Sequence, residues 1–203
     1  MKKTIDEHAE RFSEAASTYD DEQDSEAYHA CARHVVDHAA PTARETVLDL
    51  GTGTGAIAFE LTSTADCVIG RDISTGMLDE ARMKASAENI ENIKFAEGRF
   101  REPNLDSDTD VDIVTSNFAM HHLSDDEKRE AITVISALEP DRFVLGDVMF
   151  FGSPDPEEPF YSPSVDDPAT VGILTDALTD VGMAVTEVEF IHEQVGVIVA
   201  EQQ

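Results

Sequence analysis

Apolar residues recur along this chain at two different periods, and the periods alternate. Ile5, Ala9, Phe12, Ala16 and Tyr19 fall at helical spacing, which predicts a helix over residues 5–19. A second helix is predicted from about Ser25 to Ala39, stopping before Pro41. The texture then changes. Thr46–Leu50 is a short apolar run closed by Gly51, the pattern of a strand buried on both faces. Helical and strand-like segments follow in turn: 56–62 helical, 66–70 extended, then a helix capped by Ser74 with Met77, Leu78, Ala81 and Ala85 on one face. Weak and strong strands follow over 92–96 and 111–115. Ser124 and Glu127 form a capping box opening a helix to about Leu138. A strand over 142–148 leads into a Pro-rich loop, 149–168, and a helix over 170–181. Strands over 184–192 and 195–200 have no room for a helix between them and must form a hairpin.

Strands alternating with helices call for an α/β fold, a mostly parallel sheet covered on both faces. The expectation is a three-layer αβα sandwich with seven strands, one made antiparallel by the hairpin. We expect one domain: a helical cap (1–42), a core (43–148), the loop (149–168) and a C-terminal helix and hairpin (169–203).

Composition narrows the classes. The chain of 203 residues carries 43 Asp plus Glu against 14 Lys plus Arg, a formal charge of −29. That excess disfavours nucleic acid and anionic membrane surfaces as partners, since both are gripped through Lys and Arg. Charge of this density destabilises a compact chain in dilute salt and suits molar salt, where screening falls to about 3 Å, so a halophilic source is expected. No apolar run reaches about 18 residues, and Met1–Glu7 turns acidic at once, so neither a membrane span nor a signal peptide is expected. Cys31 and Cys67 are too few for a disulfide framework or a metal cluster; the reading is cytoplasmic, with small buried thiols and no metal.

The sharpest motif is Asp49-Leu50-Gly51-Thr52-Gly53-Thr54-Gly55, at a strand-to-helix turn. Such glycines let backbone approach a ligand closely, and the following helix offers free N–H groups. The same spacing fits a dinucleotide loop or a turn with no ligand. Two acids help to separate these. Asp49, beneath the loop, is an expensive buried charge unless a ligand cation pairs with it. Asp72, after the second strand, stands where an acid accepts ribose hydroxyls.

Val47–Gly55, followed by Gly70-Arg71-Asp72-Ile73-Ser74 and Met77-Leu78, resembles the class I S-adenosylmethionine-dependent methyltransferases. Phe12-Ser13-Glu14-Ala15-Ala16-Ser17-Thr18-Tyr19-Asp20 and Asn117-Phe118-Ala119-Met120-His121-His122-Leu123 are similar to elements of that family's small-molecule branch. The resemblance implies a Rossmann-like fold, S-adenosyl-L-methionine as cofactor and a small-molecule acceptor. It implies that Gly51, Thr52, Gly53 and Gly55 pass under the methionine part, with Asp49 near its amino group. Asp72 would hold the ribose and Ile73 and Met77 would flank the adenine. Asn117 and Phe118 would lie beside the methionine, and Tyr19 would close over the cofactor. The family usually places an Asp after the glycine that follows the third strand; here Gly98 is followed by Arg99, which has donors only. Glu97, a backbone group or a different adenine pocket must compensate.

Methyl transfer is an in-line displacement that positioning alone can drive, though a base helps when the acceptor is an amine, phenol or enol. His121 and His122, at the carboxyl edge of the sheet, are the candidates. The bland reading is that one packs under the cofactor and the other faces solvent. Tyr28 reads as a packing residue; Arg99 and Arg101 read as partners of Glu97, Glu102 and Asp106, or as an anion site. Phe150, Phe151, Phe160 and Tyr161 would wall an acceptor site or staple the loop to the core. The rivals are a NAD-dependent oxidoreductase and a non-catalytic sensor that binds the cofactor without chemistry.

Overall fold

The computed structural model describes residues 5–23, 25–153 and 159–203. Helices α1 (Ile5–Ala15), α2 (Tyr19–Glu22) and α3 (Glu26–Ala39) come first. The single helix expected over 5–19 is therefore broken. Ser17 and Thr18 sit at the break, and the Thr18 hydroxyl donates to the Ala15 carbonyl (3.4 Å) and to Glu22 (3.0 Å). Such local bonds compete with the helical ladder, and the chain turns there.

Strands and helices then alternate: β1 (Thr46–Leu50), α4 (Ala56–Leu61), β2 (Cys67–Asp72), α5 (Thr75–Glu88), β3 (Ile93–Glu97) and β4 (Ile113–Asn117). A 3-10 turn (Met120–His122), α6 (Asp125–Ser136), β5 (Arg142–Phe150), β6 (Ala169–Thr170) and α7 (Val171–Asp180) lead to the hairpin β7 (Ala184–His192) and β8 (Val195–Glu201). Ser74 caps α5 and Ser124 with Glu127 closes a capping box on α6, as the sequence predicts.

The sheet runs β3-β2-β1-β4-β5-β8-β7, parallel except where β8 pairs with β5 and β7. It is Rossmann-like. An eighth strand corrects the expected seven: two-residue β6 pairs beside Met149 and Phe150, too short to leave a hydrophobic period. β5 also outlasts its expected end at Val148, because the Met149 amide donates to the Gln194 carbonyl (3.0 Å). Residues 154–158 of the Pro-rich loop, with Pro154 and Pro156, lie outside the described residues, as do 1–4.

Alternation along β1 builds both cores. Val47 joins Cys31, Val35, Ile57 and Leu61 beneath α3 and α4; Leu48 and Leu50 join Ile132, Ile135, Leu174 and Leu178 beneath α6 and α7. Strand order reverses at β1, which lies between β2 and β4. In doubly wound sheets ligands bind at such a switch point, past the carboxyl ends of the strands. Asp49 and Asn117 stand at those ends of β1 and β4. No helix among the described residues is long and apolar enough to cross a membrane.

Candidate active site

A cleft opens over the carboxyl ends of β1, β2 and β4, roofed by α1 and α2. Its floor is the glycine loop. The amides of Gly51 and Thr52 both donate to the Arg71 carbonyl (2.8 and 3.0 Å), pinning the loop to the end of β2. Gly51 has φ +71°, and a Cβ there would lie 2.3 Å from the Cβ of Ala119. Gly53 has φ +54°, yet a Cβ there would meet nothing within 4 Å, because it would stand in the cleft itself. One glycine is therefore required by packing and the other leaves room for a ligand.

Asp49 is 1 % exposed. Its Oδ1 accepts from the Thr115 hydroxyl (2.8 Å); its Oδ2 is sealed from water without a hydrogen-bond partner. Burial pushes its carboxyl up to about 6, against the lowering pull of the Thr52 and Thr115 hydroxyls and with the Asp72 charge adding. Thr52 lies near enough to exert that pull, but its Oγ1 makes no hydrogen bond of its own. Asn117 uses Oδ1 to accept from the Cys31 thiol (3.4 Å), which leaves its Nδ2 buried and unpartnered. Three orphaned polar atoms, two oxygens and an amide nitrogen, thus line the same cleft. Buried polar groups are otherwise almost always paired, so this set is the imprint of a polar ligand.

Asp72 is fixed by two amides, Gly53 to Oδ2 (2.9 Å) and Ser74 to Oδ1 (2.8 Å). Burial raises its pKa, and those backbone bonds lower it. Each carboxylate oxygen keeps a lone pair for a further donor. Two carboxylates on one floor favour a ligand carrying positive charge.

Tyr19 begins α2, so the break after α1 is what aims it into the cleft; burial, then Asp72 and Asp20, push its hydroxyl up to about 12. Ile73, Met77, Gly98 and Phe118 line the cleft as well. Gly55 does not: it is the N-cap of α4 and stands behind the loop. Arg99 lines the rim with an exposed side chain, its amide and carbonyl tied to Glu102 (2.8 and 3.1 Å). Glu97, exposed at the end of β3, does not line the cleft. Arg101 pairs with Glu127 (3.2 Å) and Glu130 (2.7 Å) from α6, not with its sequence neighbours.

The two histidines part company. His121 is buried outside the cleft, with Nδ1 2.5 Å from Asp147 Oδ1 and its amide donating to Asp147 Oδ2 (2.9 Å). That grip bolts the 3-10 turn to β5 and sets His121 behind His122, its ring 4.0 Å away. His122 does line the cleft. Its Nδ1 lies 2.7 Å from Asp166 Oδ1, which makes Nδ1 the donor and leaves Nε2 an acceptor. Burial pushes the imidazole down to about 4, against the raising pull of Asp166. Asp166 is itself placed by the Ser162 amide (2.8 Å), and buried Lys128 ties the next residue, Asp167, to α6.

Sequence reasoning passed over His8 and read Tyr28 as packing alone. His8 lies one helical turn before Phe12, and its ring is 5.2 Å from that of His122. Tyr28, read as packing, lines the cleft with its ring 5.0 Å from Phe118. None of Phe150, Phe151, Phe160 or Tyr161 lines the cleft. Phe150 packs on Tyr161 (5.7 Å), Phe151 on Phe190 (5.1 Å) and Phe160 behind Phe118 (6.0 Å), so these aromatics staple the loop to the core.

The cleft can be set against known proteins. A family model described as a methyltransferase domain matches residues 47–140. An uncharacterized methyltransferase of Oceanobacillus iheyensis is 31 % identical over 148 residues, 68 % of this chain and 66 % of that protein. Aklanonic acid methyltransferase DauC of a Streptomyces species is 38 % identical over 87 residues, 41 % of this chain and 39 % of its own length. The chain thus spans about two thirds or less of these curated relatives. The solved DhpI–SAH complex superposes with a TM-score of 0.74 at 21 % identity, covering 98 % of this chain and 96 % of that one. The methyltransferase solved with the Haloferax volcanii Trm112 activator gives 0.76 at 19 %, covering 94 % and 96 %. Residues 47–140 thus carry a methyltransferase domain, set on the fold of a methyltransferase-like chain solved with S-adenosylhomocysteine, and a ligand of that kind suits the orphaned polar atoms of this cleft. A dinucleotide reading gains nothing from the sealed carboxylate of Asp49.

A direct check lies at Gly53. Gly53→Ala should weaken S-adenosylhomocysteine binding about tenfold, because the methyl occupies ligand space. The positive φ should cost only about 1–2 kcal/mol of stability. Calorimetry and thermal unfolding read the two effects separately.

Proposed function

We propose that this protein transfers a methyl group from S-adenosylmethionine to a small-molecule acceptor by in-line displacement, with His122 as base. The single observation carrying this reading is the set of orphaned atoms, Asp49 Oδ2, Thr52 Oγ1 and Asn117 Nδ2, gathered in one cleft. Asp49 meets the amino group of the cofactor, and Asn117 Nδ2 faces its methionine carboxylate. Asp72 takes the ribose hydroxyls, beside Ile73 and Met77 at the adenine. Gly51, Thr52 and Gly53 form the bend under the methionine, with Gly55 capping α4 behind it, and Tyr19 and Phe118 close the sides. When bound, the cofactor supplies an electrophilic methyl on a positively charged sulfur.

The acceptor stands near His122. His122 Nε2 takes the acceptor proton as the acceptor's heavy atom bonds to the methyl carbon and the carbon–sulfur bond breaks. Asp166 holds the imidazole in the tautomer that does this and steadies the cation that forms. The roof of α1 and α2, with Phe12 and Tyr19 over the cleft, leaves room for a small acceptor. The formal charge of −29 works against nucleic acid as substrate. We read the described chain as one catalytic unit.

Incubation with methyl-labelled S-adenosylmethionine and a metabolite extract tests the reading. Label should appear in the small-molecule fraction. Cofactor binding without labelled product would favour the sensor instead. The charge also predicts a salt response: thermal unfolding should rise by about 10 °C between dilute buffer and about 2 M KCl as repulsion is screened. A melting temperature that stays level or falls with KCl would remove the halophilic reading.

A further inference from the structure

The one buried carboxylate oxygen without a hydrogen bond outside the cleft and away from α6 belongs, among the described residues, to Glu189. His34 and His38 stand one turn apart on α3, beside its buried stripe of Cys31, Val35 and Ala39. Glu187 and Glu189 stand two apart on β7, so they share the strand face turned toward α3. His34 Nδ1 and His38 Nε2 both contact Glu189 Oε2, the second at 3.3 Å, and His38 Nδ1 lies 3.7 Å from Glu187 Oε2. Yet neither histidine contact to Glu189 has hydrogen-bond geometry. Donor atoms from the three residues all fall within 4.8 Å of one another.

We propose that His34, His38 and Glu189 bind a divalent transition-metal ion of the zinc type. Two imidazoles and one carboxylate are the donor set such ions prefer, in contrast to the all-oxygen shells of magnesium and calcium. Three protein ligands leave a fourth position for water, and the His34 side chain, 42 % exposed, keeps an entry path open. Glu187 stands where an outer carboxylate takes the second N–H of a ligating histidine and fixes its ring. Contraction of the three donors onto an ion at about 2.0–2.2 Å needs only rotamer adjustment at half-buried side chains. The ion would tie α3 to the edge strand. Because α3 also carries Tyr28 against Phe118 and Cys31 against Asn117, it would brace one wall of the cleft from outside. A second group, His121, His122 and Asp166, is less suited, since both of its Nδ1 atoms are already held by carboxylates.

The alternative is plain ion pairing of protonated histidine with Glu189. The test is a Co²⁺ titration of the full chain, stripped with chelator, at about pH 8 in molar KCl. The proposal expects one equivalent of Co²⁺ with the intense visible bands of a tetrahedral site, displaced by Zn²⁺. It also expects a melting temperature about 5 °C higher at saturating Zn²⁺. The double variant H34Q/H38Q should lose at least about 100-fold in affinity, E189Q should also weaken binding, and H122Q should keep the spectrum. Absence of the bands, their survival in H34Q/H38Q, or their loss in H122Q alone would overturn it. Should H34Q/H38Q fail to fold, E189Q, which preserves shape, decides the matter.

Discussion

Replacing Asp49 with asparagine will weaken S-adenosylmethionine binding about 100-fold and, at the same time, stabilise the free chain above about pH 6. The two effects have opposite signs because the same carboxylate is costly alone and valuable when paired. Without a partner, Oδ2 of a fully buried carboxylate has given up water for nothing. Paired with a cationic amino group, that charge contributes the roughly 2–4 kcal/mol usually lost when one member of a buried pair is removed. The substituted asparagine keeps the acceptor for Thr115 and offers Thr52 a donor, so the fold should tolerate it. The pH dependence isolates the residue. Asp49 titrates at about 6 in the folded chain and near 4 when unfolded, so between those values the folded state binds more protons. Stability attributable to Asp49 therefore falls as pH rises from about 4 to 6. The difference in unfolding free energy between D49N and the native chain should be near zero below about pH 4. It should grow to about 1–3 kcal/mol above about pH 6. Cofactor affinity of the native chain should weaken as pH drops below about 6, because the carboxyl must be ionised to bind. Denaturant unfolding and calorimetry across about pH 4–8 measure both. A variant that binds as tightly as the native chain would contradict the assigned role.

His122→Asn will lower kcat by about 10²–10³ while leaving cofactor affinity within about threefold, provided the acceptor carries a proton to remove. His121→Asn will behave differently: it breaks the buried contact with Asp147, so it should lower stability rather than leave a folded, slow enzyme. Asp166→Asn should lower kcat about tenfold, since the imidazole loses its tautomeric lock and the carboxylate that steadies its cation. The pH profile separates positioning from structure. Burial holds His122 at about 4, so with cofactor kept saturating, kcat/KM for the acceptor should stay level from about pH 8 down to about 5 and fall below that. In D166N the raising pull of the carboxylate is gone, and the acid limb should move to lower pH. A single-turnover assay with labelled cofactor reads the chemical step; an unchanged rate in H122N would mean that positioning alone drives transfer.

The sheet and its site were legible in the sequence for a physical reason. Buried strands and capped helices leave strong periods, and Asp49 beneath the Gly51-x-Gly53 bend marks a turn where a ligand can approach the backbone closely. What was hidden depended on long-range partners. His121 and His122 are neighbours with equal prior claims; only Asp147 on β5 and Asp166 in the distant loop decide which ring meets the cleft. β6 and the break before Tyr19 are too short for a period. Glu189 joins His34 and His38 only because the hairpin folds back beside α3, so the pair on the helix said nothing by itself.

Asp49 and Asp72, on this reading, hold opposite ends of one cofactor molecule. A crystal structure of the S-adenosylhomocysteine complex, grown in high salt, is the sharpest test. The amino nitrogen should lie at hydrogen-bond distance from Asp49 Oδ2, with both ribose hydroxyls on Asp72. Cofactor bound with its amino group elsewhere, or with either carboxylate turned from it, would contradict that arrangement.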